Sequence, residues 1–245
     1  MADYKITASM LNSFQWYLDH QSNNDDAEIQ KLLDTINRVS VEYTEAQARG
    51  KCFEEVINKY LTSAEVSKLI KATNEIQVNF DCNEQHFNFV FDKKLILKIL
   101  NYLEEQGVYL QQHYINKEIK VDNTNIELYG YIDYLTPTTI IDLKTTKSYS
   151  FPKYFNNWQK HIYSYCLINE VEQMQFLATD FEEMFIENYN TDTIDYAELR
   201  RMLMHFIIWI EAYREQITDK KIFGGDNEPT PRVEPIITIN AMGDN

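Results

Sequence analysis

In the stretch IELYGYIDYLTPTTIIDLK, residues 126–144, apolar and polar side chains largely alternate on either side of a TPTT turn. That is the pattern of two adjacent β-strands, and it constrains the fold more than any other part of the chain. Side chains of a strand point alternately to its two faces, so Asp142 and Lys144 share one face while Ile141 and Leu143 take the other. On the preceding strand Asp133 shares a face with Tyr131, and the short turn brings it near Asp142 in an antiparallel pair. Two directly opposed carboxylates repel and would weaken a sheet. Their placement makes sense if a cation lies between them.

Around this hairpin, apolar residues spaced three and four apart predict helices. One is opened by Thr7 or Ser9 and carries Met10, Phe14 and Tyr17; others cover roughly 26–38 and 42–60, and a short one capped by Thr62 or Ser63 runs to about 72. EIQVNF alternates as a strand, and DKKLILKILNYLEEQG is an amphipathic helix stopped at Gly107. Strands are expected over about 109–121 (with an interruption), 126–134 and 138–144, then a helix over about 152–168. EQMQFLATD and EEMFIENYN make a further strand pair, and a long helix covers roughly 193–217. This order predicts an α/β protein: a central mixed β-sheet flanked by helices, with an N-terminal helical elaboration.

The chain has 245 residues, 44% hydrophobic and 25% charged, with only 6 glycines and 5 prolines, so no Pro/Gly-rich linker divides it. One domain over 1–223 and a C-terminal tail over 224–245 are expected. The longest apolar run, FIIWI, is far short of a membrane span, and no secretory signal stands at the start. Cys52, Cys82 and Cys166 are scattered and form no CxxC, which fits a reducing, cytoplasmic setting. A net charge of −15 excludes binding of nucleic acid through a general basic coat. The charge is uneven, however. Nine acids and no Lys or Arg lie between Glu170 and Glu198, whereas Ile140–Tyr165 holds four lysines and one acid. The second segment is compatible with a local phosphate site.

Hard divalent cations such as Mg²⁺ and Mn²⁺ take carboxylate and carbonyl oxygens. Beside such an ion, a lysine can orient water or stabilise transition-state charge on a phosphodiester. An acid-x-Lys pattern alone is weak evidence, since it occurs five times: at Asp3, Asp92, Glu118, Asp142 and Asp219. Only Asp142-Leu143-Lys144 has a partner acid on a preceding hairpin strand. With GYID before it and NNWQKHIYSYCL after it, this segment resembles the PD-(D/E)XK nuclease superfamily, in its RecB-like and Cas4-like exonuclease branch. The matching residues are Gly130 and Asp133, then Asp142 and Lys144, then Gln159 and Tyr163 four apart on a helix. RGKCFEE adds Gly50 and Glu54, where many RecB-like members have His instead of Glu, and ITASMLNSFQWYL resembles the opening of that branch.

The resemblance spans most of residues 5–168 and implies a restriction-endonuclease-like core in a DNA nuclease. It implies Mg²⁺ or Mn²⁺ held by Glu54, Asp133, Asp142 and the Leu143 carbonyl. Lys144 would position or activate water, and Gln159 and Tyr163 would support the lysine and the scissile phosphate. Lys147, Lys153 and Lys160 are candidates for the nucleic-acid backbone. Three dispersed cysteines do not make the four-cysteine set of an iron–sulfur cluster, so none is expected. No phosphate loop of a helicase is present, so an unwinding or recombination partner would be separate, in a phage or bacterial recombination role implied by the resemblance. Two other readings stay open. One is a catalytically inactive nuclease-fold subunit that binds DNA ends or serves assembly. The other is an acidic interaction protein mimicking nucleic acid through its 170–198 face.

Overall fold

The computed structural model describes residues 2–20, 25–39, 42–73, 75–82, 84–224 and 235–241. From the N-terminus run β1 (Tyr4–Thr7), α1 (Ala8–Asp19), α2 (Asp25–Ile36), α3 (Glu45–Thr62) and α4 (Ala64–Ala72). Then come β2 (Glu75–Cys82), β3 (Gln85–Asp92), α5 (Lys93–Glu105), β4 (Leu110–Val121), β5 (Thr124–Leu135) and β6 (Thr139–Thr145). The chain closes with α6 (Gln159–Cys166), β7 (Gln173–Thr179), β8 (Met184–Asn190), α7 (Tyr196–Ala212) and β9 (Ile236–Ala241). The helices start where short polar side chains take up their first free N–H groups. Thr7 accepts from Met10 N, Asp92 from Lys94 N and Asp195 from Ala197 N, while Thr44 and Gln47 form a capping box for α3.

The larger sheet is mixed and six-stranded, in the order β1-β5-β6-β7-β8, with β4 on β5. β4 lies antiparallel along β5 from Thr124 to Leu135. A strand has two edges, so β1 and β6 must share the other edge of β5. β1 pairs parallel with Ile126–Tyr129, and β6 pairs antiparallel with Tyr134 and Leu135. Between them Gly130–Asp133, the GYID segment, has no ladder partner on that edge.

Each face of this sheet carries its own core. One is built with α1, α2, α6 and α7, around Phe14, Ile162 and Phe206. The other is built with α3, α5 and the small sheet β3-β2-β9, around Phe53, Phe80 and Ile99. Burying two aliphatic or aromatic faces supplies the dominant favourable term for such a layered fold. α3 therefore reaches the open end of β6 from one side and α6 from the other.

The central mixed sheet flanked by helices is as expected, but four local features differ. β1, only four residues long, is too short to show a periodicity. β3 was not expected; its burial alternates, with Phe87, Phe89 and Phe91 turned inward, while the apolar Val90 on the outer face blurs that alternation in the sequence. The helix expected from 152 begins at Gln159, since the backbone N–H groups of Lys153 and Tyr154 are engaged by the Glu187 carboxylate. From the tail, Ile236–Ala241 forms β9 and pairs antiparallel with β2, burying Ile237; residues 225–234 and 242–245 lie outside the described residues.

Candidate active site

β5 and β6 pair only through Tyr134–Ile141 and Leu135–Ile140, and then part. The hairpin pattern predicted an antiparallel pair of Asp133 and Asp142, but the ladder stops one step short of them. Instead Asp133 reaches across the opening and accepts the Leu143 N–H on Oδ2 at 2.8 Å. Its carboxylate takes the place that a strand carbonyl would fill, which holds the two strands at a fixed splay. The V between them is where the predicted residues gather.

On β6, Asp142 is buried and accepts Gln159 Nε2 on Oδ1 at 2.7 Å. Its Oδ2 is 2.6 Å from the Lys144 ammonium, which is its charged partner. Gln159 Nε2 also reaches the Tyr163 hydroxyl at 3.3 Å, so the first turn of α6 ties Asp142 to Tyr163. From α3, Glu54 comes within reach through Gln112, whose Nε2 donates to Glu54 Oε1 at 3.2 Å and to Asp133 Oδ1 at 3.1 Å. Glu54 Oε2 lies 3.1 Å from Lys51 Nζ.

Two glycines permit this approach. A Cβ on Gly130 would stand 2.7 Å from Tyr163 Cε1, and one on Gly50 would collide with Thr145 Oγ1. Gly130 lets α6 lie on β5, and Gly50 lets α3 lie on the end of β6. Both glycines are needed for close approach rather than for backbone freedom.

The electrostatics follow from burial. Burial pushes the Asp133 carboxyl well above the usual carboxylate range, and the nearby Asp142 and Glu54 charges push it further. Asp142 is also raised by burial, with the Lys144 ammonium opposing. For Lys144 burial acts downward, but Asp142 and Asp133 more than reverse it, leaving a net rise that keeps it an ammonium.

Among the described residues, no three His, Cys, Asp or Glu side chains are gathered closely enough to hold an ion as they stand. Donors stand between the acids: the Gln112 amide between Glu54 and Asp133, and Lys144 beside Asp142. The chemistry of the set nonetheless fits a hard divalent cation. The available acidic groups are oxygen donors, and the mutual repulsion that raises Asp133 is what a cation between them would relieve.

The three lysines assigned to the nucleic-acid backbone divide. Lys147 and Lys153 are exposed beside the site, Lys153 Nζ donating to Thr146 Oγ1 and Ser148 O at 2.5 Å each. Lys160 is buried. Its ammonium donates to the Phe155 carbonyl and lies over the Phe155 and Tyr189 rings, 4.1 and 4.9 Å from their centroids, so it packs the fold where an exposed phosphate contact was expected. His161, on the opposite side of α6 from the site pair, is buried with its ring centroid 4.7 Å from that of Trp158. Of the nine acids of 170–198, eight are exposed or partly exposed and one is internal. Glu187 is fully buried, accepting Lys153 N, Tyr154 N and Tyr189 OH.

Sequence reasoning missed Gln112 and Glu187. For Gln112 the available signal was the QQ pair in YLQQHYIN, which breaks the alternation of β4. Glu187 carries no signal beyond its place in EEMFIENYN, where it points inward among residues of both kinds.

A scan of family models and a search of curated proteins each gave no match. Among solved structures the chain is similar to an alkaline exonuclease from Laribacter hongkongensis, at 14% identity and a TM-score of 0.44, covering 89% of this chain and 93% of that one. It is also similar to a putative exonuclease from Eubacterium rectale, at 13% identity and a TM-score of 0.41, covering 93% of this chain and 84% of that one. At such identities and TM-scores, function has to be argued from the geometry of the site. No helix among the described residues is long and apolar enough to cross a membrane.

Proposed function

We propose that this chain is a metal-dependent nuclease that hydrolyses phosphodiester bonds in DNA at or near its ends. The observation that carries the reading is the convergence, where β5 and β6 part, of Glu54, Asp133, Asp142, Lys144, Gln159 and Tyr163 from four separate elements. Clustering like charges on splayed strands costs stability, and functional sites are where folds accept such a cost.

Glu54, Asp133, Asp142 and the Leu143 carbonyl would hold Mg²⁺ or Mn²⁺, which supplies Lewis-acid stabilisation of phosphate charge and a more acidic water. Lys144 stays charged, so its part is to donate: it orients the attacking water and offsets charge on the phosphate oxygens. Gln159 fixes the Asp142 carboxylate and the Tyr163 hydroxyl together, so the α6 end of the site moves as one body. Lys147 and Lys153 supply exposed positive charge where the nucleic-acid backbone would enter. With a net charge of −15, the rest of the surface repels nucleic acid, which favours a narrow contact or a separate unwinding or recombination protein as partner.

The binding-only reading of the same fold retains DNA-end binding but no cleavage. The nucleic-acid mimic would rest on the other eight acids of the run, since Glu187 at its middle is an internal structural group. End-labelled linear single- and double-stranded DNA, incubated with Mn²⁺ or Mg²⁺, separates these readings. Wild type should degrade at least one substrate only with metal, and Asp142→Ala and Lys144→Ala should abolish it. A folded wild type that cuts neither substrate with either metal removes the nuclease reading, and DNA-end binding without cleavage would then select the binding subunit.

A further inference from the structure

Gln112 has three properties that a surface strand residue does not need. Its φ is +46°, in the left-handed region that residues other than glycine rarely occupy. It falls at the one gap in the β4–β5 ladder, which pairs Gln111 with Tyr134 and His113 with Ile132 but leaves Gln112 and Asp133 out. And its amide bridges two acids from different elements, Glu54 on α3 and Asp133 on β5. Strain of this kind persists where the surroundings hold a residue in place, and it concentrates at functional sites.

We propose that Gln112 is a fourth side-chain ligand of the divalent cation, an inference that rests on the metal-dependent reading above. An amide has two ends of nearly equal size, exchanged by a half-turn about the last side-chain bond. With no ion bound, the NH₂ end is the right group to sit between two acids. With one bound, the half-turn presents a carbonyl oxygen, a hard donor of the kind Mg²⁺ and Mn²⁺ accept. The spacing suits this exchange. Adjacent ligands of an octahedral cation with bonds of ~2.1 Å lie about 3 Å apart, and the Gln112 amide end lies 3.2 and 3.1 Å from the two carboxylate oxygens. The left-handed backbone at Gln112 is what aims a β4 side chain at this point rather than along the sheet. Gln112 would therefore keep Glu54 and Asp133 together before the ion arrives and join them as a ligand afterwards.

The test uses the full-length protein and Mn²⁺ or Mg²⁺ alone, without DNA. Mn²⁺ affinity is measured calorimetrically for wild type, Gln112→Met, Gln112→Glu and Asp142→Asn, each checked for folding by circular dichroism. In parallel, the Gln112 side-chain NH₂ signals, identified by their absence from the Met variant, are followed by NMR during a Mg²⁺ titration. Gln112→Met keeps the shape but has no oxygen, and is expected to bind Mn²⁺ at least fivefold more weakly. Gln112→Glu should restore affinity to wild type or better, and the NH₂ signals should shift and saturate with the site. If wild type binds Mn²⁺ but Gln112→Met binds within twofold of it and the NH₂ signals do not move, the inference is overturned while the metal reading stands. If wild type binds no Mn²⁺, both fall. Should the Met variant fail to fold, the NMR titration of wild type and the Glu variant decide the matter.

Discussion

Gly130 faces Tyr163 so closely that a Cβ at position 130 would stand 2.7 Å from the Tyr163 ring. The glycine of GYID and the tyrosine of QKHIY are thus two halves of one contact, through which α6 seats on β5. Gly130→Ala forces the ring or the strand to move, and overpacking of this kind costs about 1–3 kcal/mol. A lower Tm and a loss of at least tenfold in DNA cleavage are expected. Gly130→Ala combined with Tyr163→Leu should recover much of the Tm and none of the activity. Equal Tm for Gly130→Ala and wild type would show that the contact yields freely.

Lys144 is the ammonium nearest Asp142, at 2.6 Å. Lys144→Met leaves Asp142, Asp133 and Glu54 without it. Breaking a buried pair costs about 3–5 kcal/mol, and the partial exposure of Lys144 reduces this to about 1–3 kcal/mol. The sign with pH is definite. Without the lysine the raised carboxyl pKa values rise further, so the deficit is largest where the acids are charged and shrinks as pH falls. Urea melts at pH 7 and pH 5 should show the variant recovering toward wild type at pH 5; a deficit independent of pH would mean that only packing was lost.

His161 offers a second pH test away from the site. Burial, with the Lys160 charge beside it, pushes its pKa down to about 4 from 6.5, against the opposing pull of Asp195; Glu198 also faces it, 3.4 Å away. Below about pH 6.5 the unfolded chain takes up a proton that the folded chain refuses. Stability is therefore full above that pH and falls as pH drops toward 4, by at most about 3.5 kcal/mol at ~1.4 kcal/mol per pKa unit. His161→Leu should flatten that acid limb in pH-dependent melts. An unchanged limb would place the acid sensitivity elsewhere.

Much of this site was legible because its residues sit in local patterns that are themselves structural rules. Alternation put Asp142 and Lys144 on one strand face, and a four-residue spacing put Gln159 and Tyr163 on one helix face. Which residues would be satisfied internally was not legible. Lys160 is written in the same basic segment as Lys153, yet one is buried under two rings and the other is exposed, a difference set by where the 146–158 loop folds back. The parting of β5 and β6 was hidden too. It depends on β1, a strand too short to announce itself, sharing an edge of β5 with β6.

That loop leads to the last prediction. Residues 146–158 join Lys144 to Gln159, so their conformation sets the distance between the β6 and α6 parts of the site. The loop is fastened from beneath by Glu187 on β8, which accepts Lys153 N at 2.7 Å, Tyr154 N at 3.1 Å and Tyr189 OH at 2.6 Å. Burial acts to raise the Glu187 pKa, but these bonds outweigh it and hold the pKa below the usual range, so the anchor persists through that range and is released only as pH falls below it, through the lowered pKa. Glu187→Gln keeps the shape but replaces one acceptor oxygen with a donor facing other donors, at a cost of about 1–3 kcal/mol. Phe155 is 56% exposed within this loop, which makes chymotrypsin a direct probe of its order. Cleavage after Phe155 should be at least severalfold faster in Glu187→Gln, with DNA cleavage lower and Mn²⁺ affinity nearly unchanged, because Glu187 contacts none of the proposed ligands. Unaltered proteolysis with lost activity would contradict the anchoring role and require Glu187 to act on the site by another route.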